Sequence, residues 1–242
     1  GSDSTARATH PATPSPTVTP TPTATTHAEP LTQTELWNAV ITAEDLTGFH
    51  VGYTQLKDAP YHPEIPPARL PAVYPAACAP VYWSTQAASS YPITARIDAV
   101  ATSPASEQPG TVALSVYSAA DAPKAMADLH NALPACTGAH IERHDALASG
   151  ISYTHPEVQP SPHLGDDALS FRITQHVDGN DTDPEAIDIP MTFTVVRVGT
   201  TVVTFSAMNA EDRTQPAVIP PQLIPAQVTR LTQHTRQQHS TE

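Results

Sequence analysis

Twelve histidines in 242 residues invite a metal reading. The best placed pair is His140-Ile141-Glu142-Arg143-His144, an i,i+4 spacing that puts both rings on one face of a helix. It lacks the Glu directly after the first His that the zinc-protease helix uses as its base. The flanking residues read as loop or strand, a geometry expected to hold the two rings far apart, so solvent-exposed histidines are the preferred reading. Asp178-Gly179-Asn180-Asp181-Thr182-Asp183 resembles a calcium loop. An EF-hand needs Gly at its sixth position and Glu at its twelfth, and here those are Asp183 and Ile189. His163, Asp166 and Asp167 are close in sequence, and a carboxylate beside an imidazole can move protons. No nucleophile elbow, phosphate-cradling glycine loop or HExxH accompanies them, and the chain has only nine glycines. The expectation is a non-enzyme with no catalytic residue, no metal and no cofactor.

The aromatic residues carry a better signal. Tyr74, Tyr82, Trp83 and Tyr91 gather around Cys78, and amphipathic rings suit a ligand cleft. Tyr74, Tyr82 and Trp83 are the candidate ligand-binding residues; the competing reading is ordinary core packing. Cys78 and Cys136 are the only cysteines. An even count in an exported chain predicts one disulfide, and closing a loop of that length stabilises by about 4 kcal/mol. Two buried free thiols are the alternative.

These residues must be positioned by short elements. Thr32 and Glu35 form a capping box ahead of Leu36 and Trp37, so a helix opens there. Thr42 and Asp45 repeat the device, and Gly48 ends that second helix. Phe49–Leu56 alternates as a strand. Residues 60–80 hold seven prolines, which predicts an extended, meandering loop. A helix is expected over Ala76–Ala88, then a hairpin of Ile93–Thr102 and Thr111–Ser118. Asp121–Leu133 is an amphipathic helix with Ala125, Met126, Leu129 and Leu133 on one side, ended by Pro134. Strands follow at Ile151–His155, Ala168–Val177, Met191–Val198 and Thr201–Met208, with a tight turn at Gly199-Thr200. A last helix spans Pro221–Thr232, burying Ile224, Val228 and Leu231. The pattern predicts a single α+β domain: a mostly antiparallel curved sheet with helices packed against it.

Residues 1–30 are a Thr/Pro-rich tether without apolar periodicity, expected to be disordered and dispensable for stability. Residues 31–232 form the domain and 233–242 a polar tail. Gly1-Ser2 reads as a vector remnant. The chain is expected to start after a removed signal peptide or anchor. That places it outside the cytoplasm, either as a membrane-anchored cell-surface lipoprotein or secreted, with membrane contact only through that anchor. A net charge of −13 argues against nucleic acid and anionic lipid as partners. Two lysines against nine arginines, with abundant Ala, Pro and Thr, fit a GC-rich genome such as an actinobacterium.

Four stretches together carry a resemblance. They are Leu36 with Asp45-Leu46-Thr47-Gly48-Phe49; Ala76-Ala77-Cys78; Leu133-Pro134-Ala135-Cys136; and Leu164-Gly165-Asp166-Asp167-Ala168-Leu169-Ser170-Phe171-Arg172. Arg197-Val198-Gly199 adds an Arg-x-Gly strand end. This pattern resembles the actinobacterial extracellular sensor-domain lipoproteins, similar to PknH-type kinase sensor domains, over about residues 31–232. Kinase sensor members carry two disulfides, whereas this chain has cysteines for one. The resemblance implies a sandwich-like α+β domain with a central cleft, tethered at the cell envelope. It also implies sensing of a small envelope-derived ligand, and it supplies no catalytic residue. The alternative is a structural or envelope-protein-binding lipoprotein; a weaker one is a secreted hydrolase.

Overall fold

The computed structural model describes residues 29–63, 69–105, 108–145 and 150–239, with residues 1, 9 and 11. The expectation of a disordered tether thus falls almost wholly outside the described residues. Among the described residues nine strands form one open sheet, in the order β1-β3-β4-β9-β8-β7-β6-β5-β2, antiparallel throughout. The strands are β1 (His50–Tyr53), β2 (Val73–Tyr74), β3 (Ala95–Thr102), β4 (Gly110–Val116), β5 (His140–Arg143), β6 (Ile151–Gln159), β7 (Asp167–Val177), β8 (Ile187–Val198) and β9 (Thr201–Met208). Four α-helices pack on it: α1 (Gln33–Ala39), α2 (Ala79–Thr85), α3 (Asp121–Ala135) and α4 (Leu223–His239). The protein is an α+β domain, as its pattern predicts.

The sheet is covered on both faces, by different helices at its two ends. Strand alternation decides which residues go where. Ala95, Ile97, Ala99 and Ala101 of β3 join Val112, Leu114, Val203 and Phe205 beneath α1 and α4. Leu169, Phe171 and Ile173 of β7 join Met191, Phe193 and Val195 of β8 under α2 and α3. The stacked rings of Phe171 and Phe193, 5.0 Å apart, are register partners at the centre of that second core. Cys78, in a 3-10 turn that opens α2, is bonded to Cys136 at the end of α3, with Cα atoms 5.8 Å apart.

Several boundaries differ from the sequence reading. The second helix is a single 3-10 turn, Ala43–Asp45, although Asp45 does accept the Thr42 N–H at 2.8 Å. Pro134 lies inside the last turn of α3 rather than after it. Within the Pro-rich stretch, Val73–Tyr74 pairs with β5. β6 continues past His155 because a bulge, with His155 at φ 54°, carries Pro156 without needing its missing N–H. β8 starts four residues before Met191. Pro190 fits there because its carbonyl, and hence its N–H-less side, faces beyond the end of β9, where Asn209 N–H donates to it. α4 runs on to His239, past Thr232.

The topology places one segment decisively. β1 and β2 are consecutive in the chain yet occupy opposite edges of the sheet. The chain therefore passes from one sheet edge to the other between Tyr53 and Val73, and residues 54–63, with 69–72, are the described part of this strap. Nineteen residues reach at most roughly 60 Å, enough for the crossing.

Candidate functional site

The strap runs over the same sheet face as α2 and α3, beside α2, and its floor is the free edge of β3. β1 ends at Tyr53, opposite Ala99, so the backbone of residues 95–98 has no strand partner on that side. Such groups need other partners. Gln33 of α1 supplies them for Arg96, donating Nε2 to its carbonyl at 2.8 Å and accepting its N–H at 2.9 Å. At Asp98, Thr54 N–H donates to the carbonyl at 3.0 Å and Gln55 Oε1 accepts the N–H at 2.7 Å. The start of the strap is thereby sewn onto β3.

Arg96 and Asp98, two apart on one strand, point to the same face. Arg96 Nη2 donates to Asp98 Oδ1 at 2.9 Å, and its Nε donates to Oδ2 at 3.0 Å. Burial works against the guanidinium charge, but the hydrogen bonds and charge of Asp98 outweigh it and hold the pKa above its ordinary value. Arg96 Nη1 also donates to the Ala87 carbonyl at 3.3 Å, where Ser115 Oγ donates at 2.8 Å. Ala87 ends α2 in the left-handed region, φ 52°, a conformation that costs a non-glycine residue roughly 1–2 kcal/mol. Those two hydrogen bonds help to hold it there.

Between strap and sheet lies a cleft of about 650 Å³. Ala59, Pro60, Tyr61 and His62 of the strap form one wall, Arg96 and Asp98 the floor, and Trp83, Gln86, Tyr91 and Arg143 the other wall. Arg96 on β3 and Arg143 on β5 are six strands apart, about 29 Å in a flat sheet. That both line one cleft shows how strongly the sheet curls. Arg143 Nε donates to Asp145 at 2.9 Å. Each of the two arginines thus faces its own carboxylate, and the cleft presents no net cationic charge from them.

A second, smaller cavity of about 90 Å³ lies beneath α2 and α3, against Val195, Val202 and Thr204 of the sheet. Several of its polar groups have partners already. Ser84 Oγ donates to the Val81 carbonyl, and Tyr91 Oη donates to Asp128 at 2.8 Å, which raises the Tyr91 pKa. Tyr117 is hydrogen-bonded to Ser89, and burial pushes its phenol up to about 12. Trp83, Ala88 and Ser89 line both spaces.

The three candidate aromatics divide. Trp83 lines the cleft, though most of its ring is buried. Tyr82 is buried too, edge-on to Trp83 at 5.1 Å and to Tyr153 at 5.6 Å. Tyr74 sits on the edge strand, 64% exposed, with its ring 5.8 Å from that of His144 and outside the residues lining the cleft.

Most of the histidine motifs resolve into surface histidine–carboxylate contacts. β5 is a strand, and its alternation puts His140, Glu142 and His144 on one side. Both rings reach the carboxylate between them, at 3.7 and 3.0 Å, rather than being held apart. His163 is exposed. Asp166 accepts the Gly199 N–H at 2.6 Å, while Asp167 pairs with His130 of α3 at 2.9 Å. In the acidic loop, His176 is held by Asp188 at 2.7 Å and Asp178 at 3.0 Å. The hydrogen bond to Asp188 is the main cause of its raised pKa. Among the described residues no group of three or more His, Cys, Asp or Glu is gathered to hold a metal ion.

Sequence reasoning missed Gln33, Gln55, Arg96, Asp98 and Arg143. Arg96-Ile97-Asp98 did carry a signal: opposite charges two apart within an apolar strand share a face. Gln33 and Gln55 carried none, because their partners are 63 and 43 residues away.

The fold and site define an α+β domain with a cleft between its sheet and the strap residues 54–63 and 69–70. No family model matches the chain, and no curated protein matches it. Among solved structures, the extracellular domain of PknH from Mycobacterium tuberculosis is similar, with a TM-score of 0.48 at 11% identity. The match covers 87% of this chain and 99% of that one. Among the described residues no helix is long and apolar enough to cross a membrane.

Proposed function

We propose that this chain is a non-catalytic, extracytoplasmic ligand-binding domain of sensor type, carried on the Thr/Pro tether of a cell-envelope lipoprotein of actinobacterial origin. The cleft of about 650 Å³ under the strap carries the reading. Its size is that of a small-molecule site, and it mixes apolar walls with a few fixed polar groups. The strap's prolines limit the entropy lost on closing over a ligand.

The ligand is small and uncharged. Each cleft arginine is already neutralised, and the chain as a whole carries a net charge of −13, which repels anions. Non-catalytic action fits the same site. The histidine–carboxylate pairs of His130, His140, His144 and His176 belong to the outer surface and not to the cleft lining. The test is native mass spectrometry of the protein purified from its own envelope, beside an Ala59→Trp variant that fills the cleft from the strap. A small molecule retained by the parent and lost in the variant is expected. Equal retention by both, or none by the parent, refutes the reading.

A further inference from the structure

The two cavities are neighbours with opposite chemistry, and that narrows the ligand. The large cleft holds polar partners: the Arg96–Asp98 pair, Arg143 and Gln86. The small cavity is bounded mainly by apolar side chains, among them Met126, Leu129, Val195 and Val202, and of its polar lining Ser84, Asp128 and Tyr117 are satisfied by neighbours. It therefore offers an incoming group mainly dispersion and desolvation. The spaces adjoin at Trp83, Ala88 and Ser89.

Resting on the reading of the cleft as a ligand site, we propose that the ligand is a neutral amphiphile. An uncharged, hydroxyl-rich head lies between the strap and β3, and a short alkyl end passes Trp83 into the cavity beneath α2 and α3. The head is uncharged because both arginines are matched by carboxylates. It is hydroxyl-rich because the cleft combines planar ring faces with donors and acceptors, which suits a group bearing both. The tail is short because about 90 Å³ is roughly three-fifths of a cavity that admits benzene, room for about three or four carbons. A ligand confined to the cleft alone leaves the small cavity unused, and a wholly apolar one leaves the cleft's polar groups without partners.

Methyl, propyl and hexyl β-D-glucoside, with hexyl phosphate as an anionic control, test this by NMR titration of the full chain. Cleft signals are expected to shift with all three glucosides. Affinity should rise about fourfold for each methylene buried and level off once the cavity is full. Intermolecular contacts from the alkyl chain to the methyls of Met126, Leu129 and Val202 are expected in the unsubstituted protein. Ala125→Leu, which fills the cavity from α3, should remove the chain-length gain while leaving methyl glucoside binding unchanged. Ala59→Trp should weaken every glucoside. Cleft shifts with no chain-length gain and no contact to those methyls overturn the amphiphile and leave the cleft reading standing. Chain contacts that persist undiminished in Ala59→Trp overturn the two-part site. Hexyl phosphate binding as tightly as hexyl glucoside overturns the uncharged head. Cleft signals unmoved by every probe overturn both the proposal and the reading beneath it.

Discussion

Tyr117 shows how a single buried polar side chain ties stability to pH. Its phenol is 2% exposed, and burial raises its pKa to about 12 from an ordinary value near 10. The unfolded chain therefore releases this proton first as pH rises. The stabilisation is intact below pH 10 and is lost progressively between pH 10 and 12. Urea midpoints measured across that range should fall with pH, and Tyr117→Phe should flatten the fall. An unchanged slope in that variant would assign the alkaline loss to other groups. Trp83 and Tyr74 make a second test, because both are candidate ligand residues and the fold treats them differently. Trp83 is packed against Tyr82, so Trp83→Ala should cost about 3–5 kcal/mol. Tyr74 is 64% exposed, and Tyr74→Ala should stay within about 0.5 kcal/mol. Thermal melts of the two variants, side by side, decide this.

At the scale of elements, α1 and α4 are joined by two polar side chains of α4: Arg230, whose Nε donates to the Asn38 carbonyl at 3.2 Å, and Gln227. Gln227 of α4 is fully buried. Its Nε2 donates to the Ala39 carbonyl at 2.8 Å, and its Oε1 accepts the Ile41 N–H at 3.0 Å. It thus satisfies backbone groups where α1 ends, which no helix bond reaches. Gln227→Ala leaves a buried donor and a buried acceptor unpaired, and should cost about 2–4 kcal/mol by denaturant titration. A loss below about 1 kcal/mol would mean that water replaces the amide. The position was invisible in the helical pattern of α4. A glutamine on the buried stripe reads as a break in it until its partners, 186 and 188 residues away, are in place. The bulge in β6 and the proline in β8 are similar: each proline truncated a predicted strand, and each is tolerated because its missing N–H falls where the ladder makes no demand.

Across the whole molecule, the Cys78–Cys136 bond ties the turn that opens α2 to the end of α3, over a sequence separation of 58. Both helices roof the second core and line the small cavity. Reduction, or paired substitution by serine, should lower stability by about 2–5 kcal/mol. Urea midpoints with and without reductant measure it, and equal midpoints would show that the core alone holds the two helices together. The same roof bounds the site, so loss of the bond should also loosen Trp83.

The sequence by itself determined the local structure and much of the class. Capping boxes, two-residue alternation and helical stripes are short-range signals, and Thr32–Glu35, Thr201–Met208 and Asp121–Leu133 were legible from them. The cysteine pair was legible too, from parity. Tertiary structure alone decided the cleft. That β1 and β2 lie at opposite sheet edges makes the start of the Pro-rich stretch a strap across the sheet rather than a meander, and strand order is a long-range property that no local pattern encodes. Curling of the sheet then brought Arg96 and Arg143 from separate strands to one cleft. Tyr82 went to the core and Tyr74 to solvent because neighbours distant in sequence, Tyr153 and His144, set their surroundings.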